Sequence, residues 1–394
     1  MGLIRSTFCF ILLLLLAGSA FLACAPQRQD LPGELEMPGQ QTGQLKNAIG
    51  KDISIQEWVN SVRGADYILI GESHTNNCDH EVQARLLQAL VDAGVFPVLG
   101  LEMLDVSIQD KVDEFNSGQI GAKELPDQIK WSEQWGYPFS LYAPLFELAL
   151  ENSLPVAALN LPRKILDQVR SKGLKNLSEK NRSYLPEEVI PVSQEQKKSL
   201  KKVYKQHQEF LEDESGSSLE RFMLVQSIWD TKMAEQARKW QKKTDRPVLI
   251  ITGVGHVEYD WGIAHRLKSL DPGARVVSVA PWRGTEKPDP KLADYVYFCP
   301  LTHKSRLGMQ LRPLKGGIEV LNVDSGSRAD KAGLKAGDLI LRAQDIELEE
   351  LMDLHKAAMR AKKEKSNLSL KVMRAKSIKM LEIDLQKSGA DVQE

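Results

Sequence analysis

Short apolar runs recur along much of the chain and alternate with amphipathic stretches. The runs are Tyr67–Ile70, Phe96–Leu101, Leu154–Leu159, Pro247–Ile251, Ala274–Val279 and Tyr295–Phe298. Unbroken apolar runs of this length are typical of strands that are buried on both faces, as in a parallel sheet. The stretches between them, such as His80–Ala93 and Leu141–Leu150, repeat apolar residues every three or four positions and predict helices. The alternation predicts an α/β fold: a mostly parallel sheet with helices on both faces.

A long charged stretch at 194–241 interrupts this alternation. Gly216–Ser218 divides it, so it predicts a helical insertion of two helices joined by a turn. A core-facing stripe runs along the second helix at spacings of three and four, and consists of Phe222, Val225, Trp229, Met233 and Ala237. Such an insertion is compatible with a lid, with a dimer arm, or with a helical layer that covers the sheet.

The N-terminus has the pattern of an export signal. Arg5 precedes an apolar run, Phe8–Ala23, which is short for a membrane span and ends in a small residue. Cys24 follows at once, in the position of the lipidated cysteine of a lipoprotein processing box. We therefore expect a signal peptide at 1–23, acyl chains on Cys24 and a flexible tether at 24–45 that is rich in Pro, Gly and Gln. The chain would then be exported and lipid-anchored to the cell envelope, on the outer membrane or the periplasmic face. An ordinary cleaved signal and an uncleaved anchor are the alternatives.

Charge and cysteine content bear on possible partners, disulfides and metal sites. Lys and Arg total 52 while Asp and Glu total 53, which gives no reason to expect a nucleic-acid partner. Of the four cysteines, only Cys78 and Cys299 belong to the predicted folded part. An exported protein permits a disulfide between them, but two cysteines so far apart in sequence do not establish one. The sequence has no Cys-x-x-Cys pair that would indicate a metal site.

Polar side chains stand where the apolar runs stop. They are Glu72, His74, Glu102, Asn160 and His256. Ligands of open α/β sheets bind outside the carboxyl ends of the strands, and a carboxylate beside an imidazole is costly to bury unless it binds something. We therefore expect Glu72, His74, Glu102 and His256 to converge on one solvent-reachable pocket at a rim of the sheet.

Two kinds of ligand suit such a pocket. The set Glu72, His74, Glu102 and His256 matches a divalent metal with an open position, and a spare glutamate would then serve as the general base of a metal-dependent hydrolase. Haem is the other option, with a histidine or tyrosine on the iron and an aromatic pocket around the macrocycle. Candidate aromatic residues for that pocket are Trp131, Trp135, Tyr137, Phe139 and Tyr142. Ordinary core packing explains those aromatic residues equally well.

Taken together, these motifs resemble the ChaN-like haem-binding lipoproteins of the wider Tiki and erythromycin-esterase superfamily. The matching pieces, over about Asp66–Phe298, are Gly71–His74 with His80 and Gln83, Leu99–Leu104, Trp131–Pro144, Gln226–Asp230 with Met233–Ala234, and Gly253–His256 with Gly262–Ile263 and Arg266–Leu267. The chain departs from the family at Asp79–His80, where a pair of histidines is usual. The resemblance implies a surface lipoprotein that handles iron or haem, with haem held between paired subunits and hence a homodimer.

The motifs do not place the iron ligand, so the candidate residues for haem rest on residue type. The haem-binding candidates are His74, His80, Glu102, Asn160, His256, Tyr137, Tyr142 and Tyr259. The residue on the iron stays open among Tyr137, Tyr142, Tyr259, His74 and His256. The resemblance also implies kinship with hydrolases that use the His and Glu residues of the same strand ends.

From Leu307 onwards the pattern changes to short strands and one helix. The segment Gly326–Ile340 contains the Ala-Gly and Gly-Asp steps of a PDZ domain of the bacterial protease-associated kind, which it resembles. This resemblance implies that a peptide C-terminus adds as an edge strand at a carboxylate-binding loop, and that the helix Glu349–Ala361 lines the groove. The peptide-binding candidates are Leu307, Gly308, Met309 and Leu311. The chain departs from the usual glycine turn at Gln344–Asp345, and no Ser, His and Asp set of a trypsin-like protease precedes the domain.

The sequence thus predicts four segments: a signal peptide at 1–23, a tether at 24–45, a ChaN-like haem-binding domain at 46–302 and a PDZ domain at 303–394. The expected function is that of a membrane-anchored haem- or iron-binding lipoprotein, which takes part in haem uptake and recruits a peptide or protein partner. A metal-dependent hydrolase and a non-enzymatic surface adaptor are the alternatives, and an enzyme is the less favoured of the classes.

Overall fold

The computed structural model of the chain describes residues 41–211, 218–283 and 287–385. The predicted signal peptide, Cys24 and most of the predicted tether lie outside the described residues. Within the described ranges, no helix is both long enough and apolar enough to cross a membrane.

The first domain is built around one sheet of eight strands. The strands are β1 Leu45–Asn47, β2 Asp52–Ile53, β3 Tyr67–Glu72, β4 Val98–Asp105, β5 Val156–Asn160, β6 Val248–Gly253, β7 Val276–Trp282 and β8 Tyr295–Phe298. Their order in the sheet is β2-β1-β8-β7-β3-β6-β4-β5. Strands β3 to β8 are parallel, whereas β1 runs antiparallel to both β2 and β8. The predicted α/β fold with a mostly parallel sheet is confirmed. Leu45, the last residue of the predicted tether, is already part of β1 and pairs with Tyr297.

Helices cover both faces of this sheet. They are α1 Ile55–Val62, α2 Asn77–Asp92, α3 Gln109–Asn116, α4 Leu125–Gln128, α5 Trp131–Gln134, α6 Ala143–Glu151, α7 Arg163–Lys172, α8 Glu179–Arg182, α9 Gln194–Leu211, α10 Leu219–Thr244 and α11 Ile263–Leu270. Successive strand side chains point to opposite faces. Ile68 and Ile70 of β3 therefore join one core with α1, α2, α3 and α6, while Leu69 joins a second core with α10 and α11.

The charged insertion forms two helices, as predicted. Ser218 caps the start of α10 by accepting a hydrogen bond from the backbone N–H of Arg221. Met233 and Ala237, both from the predicted stripe, are fully buried in the second core. Of the three predicted alternatives, the helical layer that covers the sheet is therefore the one that α10 forms.

A disulfide joins the start of α2 to the end of β8. Asn76 caps α2, and Cys78 in its first turn bonds to Cys299, with the two Cα atoms 5.8 Å apart. The sequence permitted this bridge without establishing it. Asn76 also donates a hydrogen bond of 2.8 Å from its side chain to the backbone oxygen of Pro300, so the same two segments are held by a covalent bond and a polar contact.

The C-terminal domain has an antiparallel sheet and a core of its own. Its elements are β9 His303–Ser305, β10 Met309–Leu314, β11 Gly317–Val323, α12 Arg328–Lys331, β12 Leu339–Ala343, β13 Ile346–Glu347, α13 Leu351–Lys363, β14 Leu368–Arg374 and β15 Ser377–Ile383. The sheet order is β15-β14-β12-β11-β10-β9, and β13 pairs with β12. Asp338, from the Gly-Asp step, is fully buried and accepts hydrogen bonds of 2.6 and 2.7 Å from Arg374. This pairing explains why an acidic residue is tolerated inside the domain.

Candidate functional site

The sheet order brings the polar strand ends together at one rim. Strands β3, β6 and β4 are neighbours, and Glu72 at the end of β3 is in register with Gly253 at the end of β6. Glu102 lies on β4, which continues past it to Asp105. The apolar run that predicted this strand ends at Leu101, four residues before β4 does, yet Glu102 lies at the predicted edge of the sheet.

Glu72 is the centre of the first half of the site. One carboxylate oxygen lies 2.8 Å from Nδ1 of His74 and accepts a 2.7 Å hydrogen bond from the hydroxyl of Tyr142. The other accepts a 2.8 Å hydrogen bond from Gln83 and lies 3.3 Å from Nδ1 of His80. Burial alone would raise the pKa of Glu72, but the hydrogen bond from His74 and the fields of His80 and His74 outweigh it, so this pKa is lowered. Glu72 is therefore an ionised, fully satisfied carboxylate that orients His74.

Glu102 is the centre of the second half. Its Oε2 accepts hydrogen bonds of 2.6 Å from the Thr252 hydroxyl and 2.6 Å from the backbone N–H of Gly253. Its Oε1 lies 3.6 Å from Nε2 of His256. Asn160 supports the same strand, because its side chain donates a 2.9 Å hydrogen bond to the backbone oxygen of Glu102. Glu102 and Asn160 thus connect the neighbouring strands β4 and β5 at the rim.

His256 bridges two carboxylates. Its Nδ1 lies 2.5 Å from Oδ1 of Asp230, while its Nε2 faces Glu102. Burial lowers the pKa of His256, but the negative fields of Glu102 and Asp230 prevail and raise it above its ordinary value. Asp230 is fully buried on α10, and Arg266 lies 3.4 Å from its other oxygen. The sequence analysis quoted Asp230 only as part of a family motif. An acidic residue beside a core-facing stripe was the signal that marked it.

His74 is the member of the predicted set that reaches solvent. Its side chain is 26% exposed, whereas those of Glu72, Glu102 and His256 are 0%, 1% and 9% exposed. The four side chains do meet at one rim, as expected. The expectation that all four line an open pocket is wrong for the other three, because hydrogen bonds to their neighbours hold them inside the domain.

Two aromatic rings flank His74. Its ring centroid lies 4.8 Å from that of Trp135 and 5.1 Å from that of Tyr137. Nδ1 is engaged by Glu72, and the described residues place no hydrogen-bond partner on Nε2. Burial lowers the pKa of His74, but the hydrogen bond to Glu72 and the fields of Glu102 and Glu72 raise it overall.

The ring of His74 also lies directly on the backbone of Gly253. A Cβ atom at Gly253 would be 3.0 Å from Cε1 and 3.2 Å from Nε2 of this ring. A methyl group at position 253 would therefore fit only if the imidazole moved by a few tenths of an ångström.

The remaining candidates have structural contacts. Tyr142 is fully buried, and burial next to Glu72 raises its pKa strongly, so it remains a neutral donor. Tyr259 stacks on Trp261 with ring centroids 4.4 Å apart. Asp79, at the position where the family has a histidine, accepts a 2.8 Å hydrogen bond from the backbone N–H of Ser73 and pairs with Arg283. Asp79 therefore anchors the loop that follows β3, a role that the sequence analysis missed.

The metal hypothesis gains no support. The described residues contain no group of three or more His, Cys, Asp or Glu side chains that could hold a metal ion. Surface cavities of about 390 and 350 Å³ lie away from the rim, the first beside Arg85 and the second beside Phe96. His74 itself is partly exposed and flanked by the rings of Trp135 and Tyr137.

Comparisons with known proteins yield matches to both domains. A family model described as haem-binding uptake, Tiki superfamily, ChaN matches residues 58–267, and a PDZ domain model matches residues 305–385. Among solved structures, the one that describes cofacial haem binding to ChaN of Campylobacter jejuni has a TM-score of 0.53 and 22% identity, and the match covers 65% of this chain and 96% of that one. At that identity it shows the shared fold.

Two further structures are more distant. The type III effector HopBA1 has a TM-score of 0.37 and 13% identity, covering 62% of this chain and 93% of that chain. A mutant of the erythromycin esterase EreC has the same TM-score and identity, covering 60% and 76%. Neither likeness is close enough to carry an argument. Curated protein sequences yield no match.

The resemblance drawn from the motifs is nevertheless confirmed, because the matching family model spans more than half of the sequence: the chain belongs to the ChaN family of haem-binding uptake proteins in the Tiki superfamily, and its C-terminal part is a PDZ domain.

Proposed function

We propose that this chain binds haem at the rim of its sheet, with Nε2 of His74 facing the iron. The observation that carries the proposal is the state of the His74 imidazole: Nδ1 contacts a buried carboxylate, Nε2 has no hydrogen-bond partner among the described residues, and the partly exposed side chain lies beside two aromatic rings. Histidines that bind metals generally donate their second ring N–H to such a carboxylate, which fixes the tautomer and the ring orientation. The residues present therefore fit the group that the family is known by.

The residues around His74 have different roles in the proposed binding of haem. Glu72 holds the His74 ring and, through its ionised carboxylate, increases the basicity of Nε2. Trp135 and Tyr137 offer flat apolar faces for a flat apolar ligand, and Gly253 leaves the space in which the imidazole lies. When bound, haem would supply an iron that takes an imidazole or a phenolate as ligand, and His74 is the residue that would hold it.

A haemin titration followed by absorbance tests the proposal. We expect the wild-type chain in detergent to shift and sharpen the Soret band up to a fixed stoichiometry, and His74→Ala to weaken haemin binding about tenfold or more. His355→Ala, which removes an exposed histidine of the PDZ domain, is the matched control and should bind as wild type does. A wild-type spectrum identical to that of free haemin would refute haem binding. Full binding by His74→Ala, with loss in Tyr137→Phe or Tyr259→Phe, would refute only the choice of His74.

The same proposal includes export and a lipid anchor on Cys24. The apolar run before Cys24 supports it, and so does the Cys78–Cys299 bridge, because disulfides persist in oxidising compartments such as the periplasm. Expression with a radiolabelled fatty acid tests the anchor. The wild-type chain should carry label and sediment with membranes, and Cys24→Ser should do neither. Label retained by Cys24→Ser would refute the assignment.

We further propose that the PDZ domain docks the C-terminus of a partner protein and thereby brings the haem-binding domain to it. Strand addition beside β10, with the carboxylate received at Leu307–Met309, is the mode that the domain type favours. Recovery of partners from envelope extracts should fall when residues 303–394 are removed. Equal recovery of the same partners would argue against this role.

A further inference from the structure

The edge of β10 that a docking peptide needs is already paired. Strand β10 has β11 on one side, and β9 lies on the other side as the last strand of the sheet. The pairing is antiparallel, with Met309 opposite Ser305 and Leu311 opposite His303. A peptide that adds to this edge by backbone hydrogen bonds would have to occupy the place of β9.

Ser305 also occupies backbone donors of the loop expected to receive a carboxylate. The backbone N–H of Leu307 donates a 3.1 Å hydrogen bond to the hydroxyl of Ser305, and that of Gly308 donates a 3.0 Å hydrogen bond to its carbonyl. Two oxygen atoms of one residue thus take donors that the two oxygen atoms of a C-terminal carboxylate would use. Gly308 has a φ of +84°, and this left-handed turn directs the loop towards Ser305.

Two further contacts hold β9 in this position. The ammonium of Lys304 lies 2.6 Å from a carboxylate oxygen of Asp324, whose backbone N–H in turn donates to the carbonyl of Gly308. Because β11 takes the opposite edge of β10, β9 occupies the edge to which a docking peptide would have to add.

We propose that His303–Ser305 is an intramolecular occupant of the PDZ groove, which a partner's C-terminus must displace before it can bind. The inference rests on the proposed peptide-docking function, and it adds that the domain is self-blocked in the free protein. A tethered competitor acts at a high effective concentration. Peptide affinity is reduced in proportion to the fraction of molecules in which the groove is vacant.

A release variant tests the self-block. Lys304→Pro with Ser305→Ala removes a strand donor, the ion pair with Asp324 and the hydroxyl that accepts from Leu307. Lys315→Pro is the matched control: Lys315 precedes Gly316, which has a φ of +89° in the two-residue turn between β10 and β11, and proline is favoured at that turn position.

The probe is a fluorescent pool of decapeptides with a free carboxylate and four randomised C-terminal residues, measured against the same pool with amidated C-termini. The full chain is used, in detergent. We expect the release variant to bind the free-carboxylate pool about tenfold or more tightly than wild type, the control to match wild type, and no variant to prefer the amidated pool. Hydrogen exchange should find the amides of 307–311 protected in wild type and exchanging faster in the release variant, while those of β14 stay protected and report that the domain remains folded.

The possible failures differ from one another. Equal peptide binding by wild type and the release variant, or unprotected amides at 307–309 in wild type, would overturn the self-block. If exchange reports a released β9 while neither pool binds, the self-block stands and the proposed peptide-docking function is lost.

Discussion

The Cys78–Cys299 bridge should make the first domain markedly more stable. It ties the N-terminus of α2 to the end of β8 across 221 positions of sequence. The perturbation is reduction of the wild-type chain, which opens the bridge without changing any side chain. The double variant Cys78→Ala with Cys299→Ala serves as the control, because it should not respond to reductant.

The length of the closed loop sets the magnitude. For a separation of 221 residues, the chain-entropy relation gives a stabilisation of about 5 kcal/mol at 25 °C, and native bridges typically contribute about 2–4 kcal/mol. Cys299 is fully buried, so alanine at this position also loses apolar burial worth about 1 kcal/mol. The double variant should therefore be slightly less stable than the reduced wild type.

Tryptophan fluorescence reports this change selectively. All seven tryptophans of the chain precede residue 303, so denaturant unfolding followed by their emission reports the first domain and excludes the PDZ domain. We expect the free energy of unfolding from this signal to fall by about 2–5 kcal/mol on reduction.

Two results would refute the reasoning. In the first, thiol titration of protein isolated from the periplasm finds free thiols at both Cys78 and Cys299, which would mean that the bridge does not form. In the second, the bridge forms and reductant opens it, yet the free energy of unfolding does not change. In that case the folded state, rather than the unfolded chain, would absorb the constraint, and the entropic estimate would be wrong.

Three further predictions concern single side chains. Gly253→Ala should displace the His74 ring and weaken haemin binding, with little change in far-UV circular dichroism; unchanged haemin affinity would contradict the close approach at Gly253. Because the pKa of His256 is raised in the folded state, its protonation stabilises the fold fully below about pH 6.5, and this contribution is lost as pH rises through the raised pKa. The free energy of unfolding measured with denaturant should therefore depend less on pH in His256→Gln than in wild type. Identical pH dependence in the two proteins would refute this prediction. Asp338→Ala removes the buried acceptor of two hydrogen bonds from the partly exposed Arg374 and should destabilise the PDZ domain by about 1.5–3 kcal/mol, measured as faster amide exchange in β12 and β14; unchanged exchange would show that the pair contributes little.

The sheet and its rim were predictable from sequence because they depend on local patterns. Apolar runs located strands β3 to β8, and the polar residues after them marked the rim, since parallel strands end at a common edge. The spacing of Glu72 and His74 directed both side chains to the same side of the chain, as the 2.8 Å contact between them confirms.

Residues that act across long sequence separations were not predictable in this way. Asp230 reaches His256 only because α10 packs over the sheet, and Arg283 reaches Asp79 from another strand end. Burial could not be predicted either. Glu102 and His256 are residue types that often bind ligands, but whether hydrogen bonds within the protein satisfy them depends on the helices that cover them. A polar residue after a strand indicates the rim of the sheet, whereas tertiary packing decides whether its side chain is exposed to solvent.

The segment between the domains illustrates the same difference. The sequence predicted only a domain boundary between residues 302 and 303, yet this segment is fixed at both ends. Cys299 is held by the disulfide and Pro300 by Asn76, while β9 is held against β10 from residue 303 onwards. Only residues 301–302 lie between these attachments, and two extended residues span about 7 Å. Because so short a link has little slack, β9 cannot leave the PDZ groove without either detaching Pro300 from Asn76 or repositioning the segment as a whole. The occupant of the groove is therefore part of the structure that joins the domains, and its release is a change in that structure rather than the movement of a loose tail.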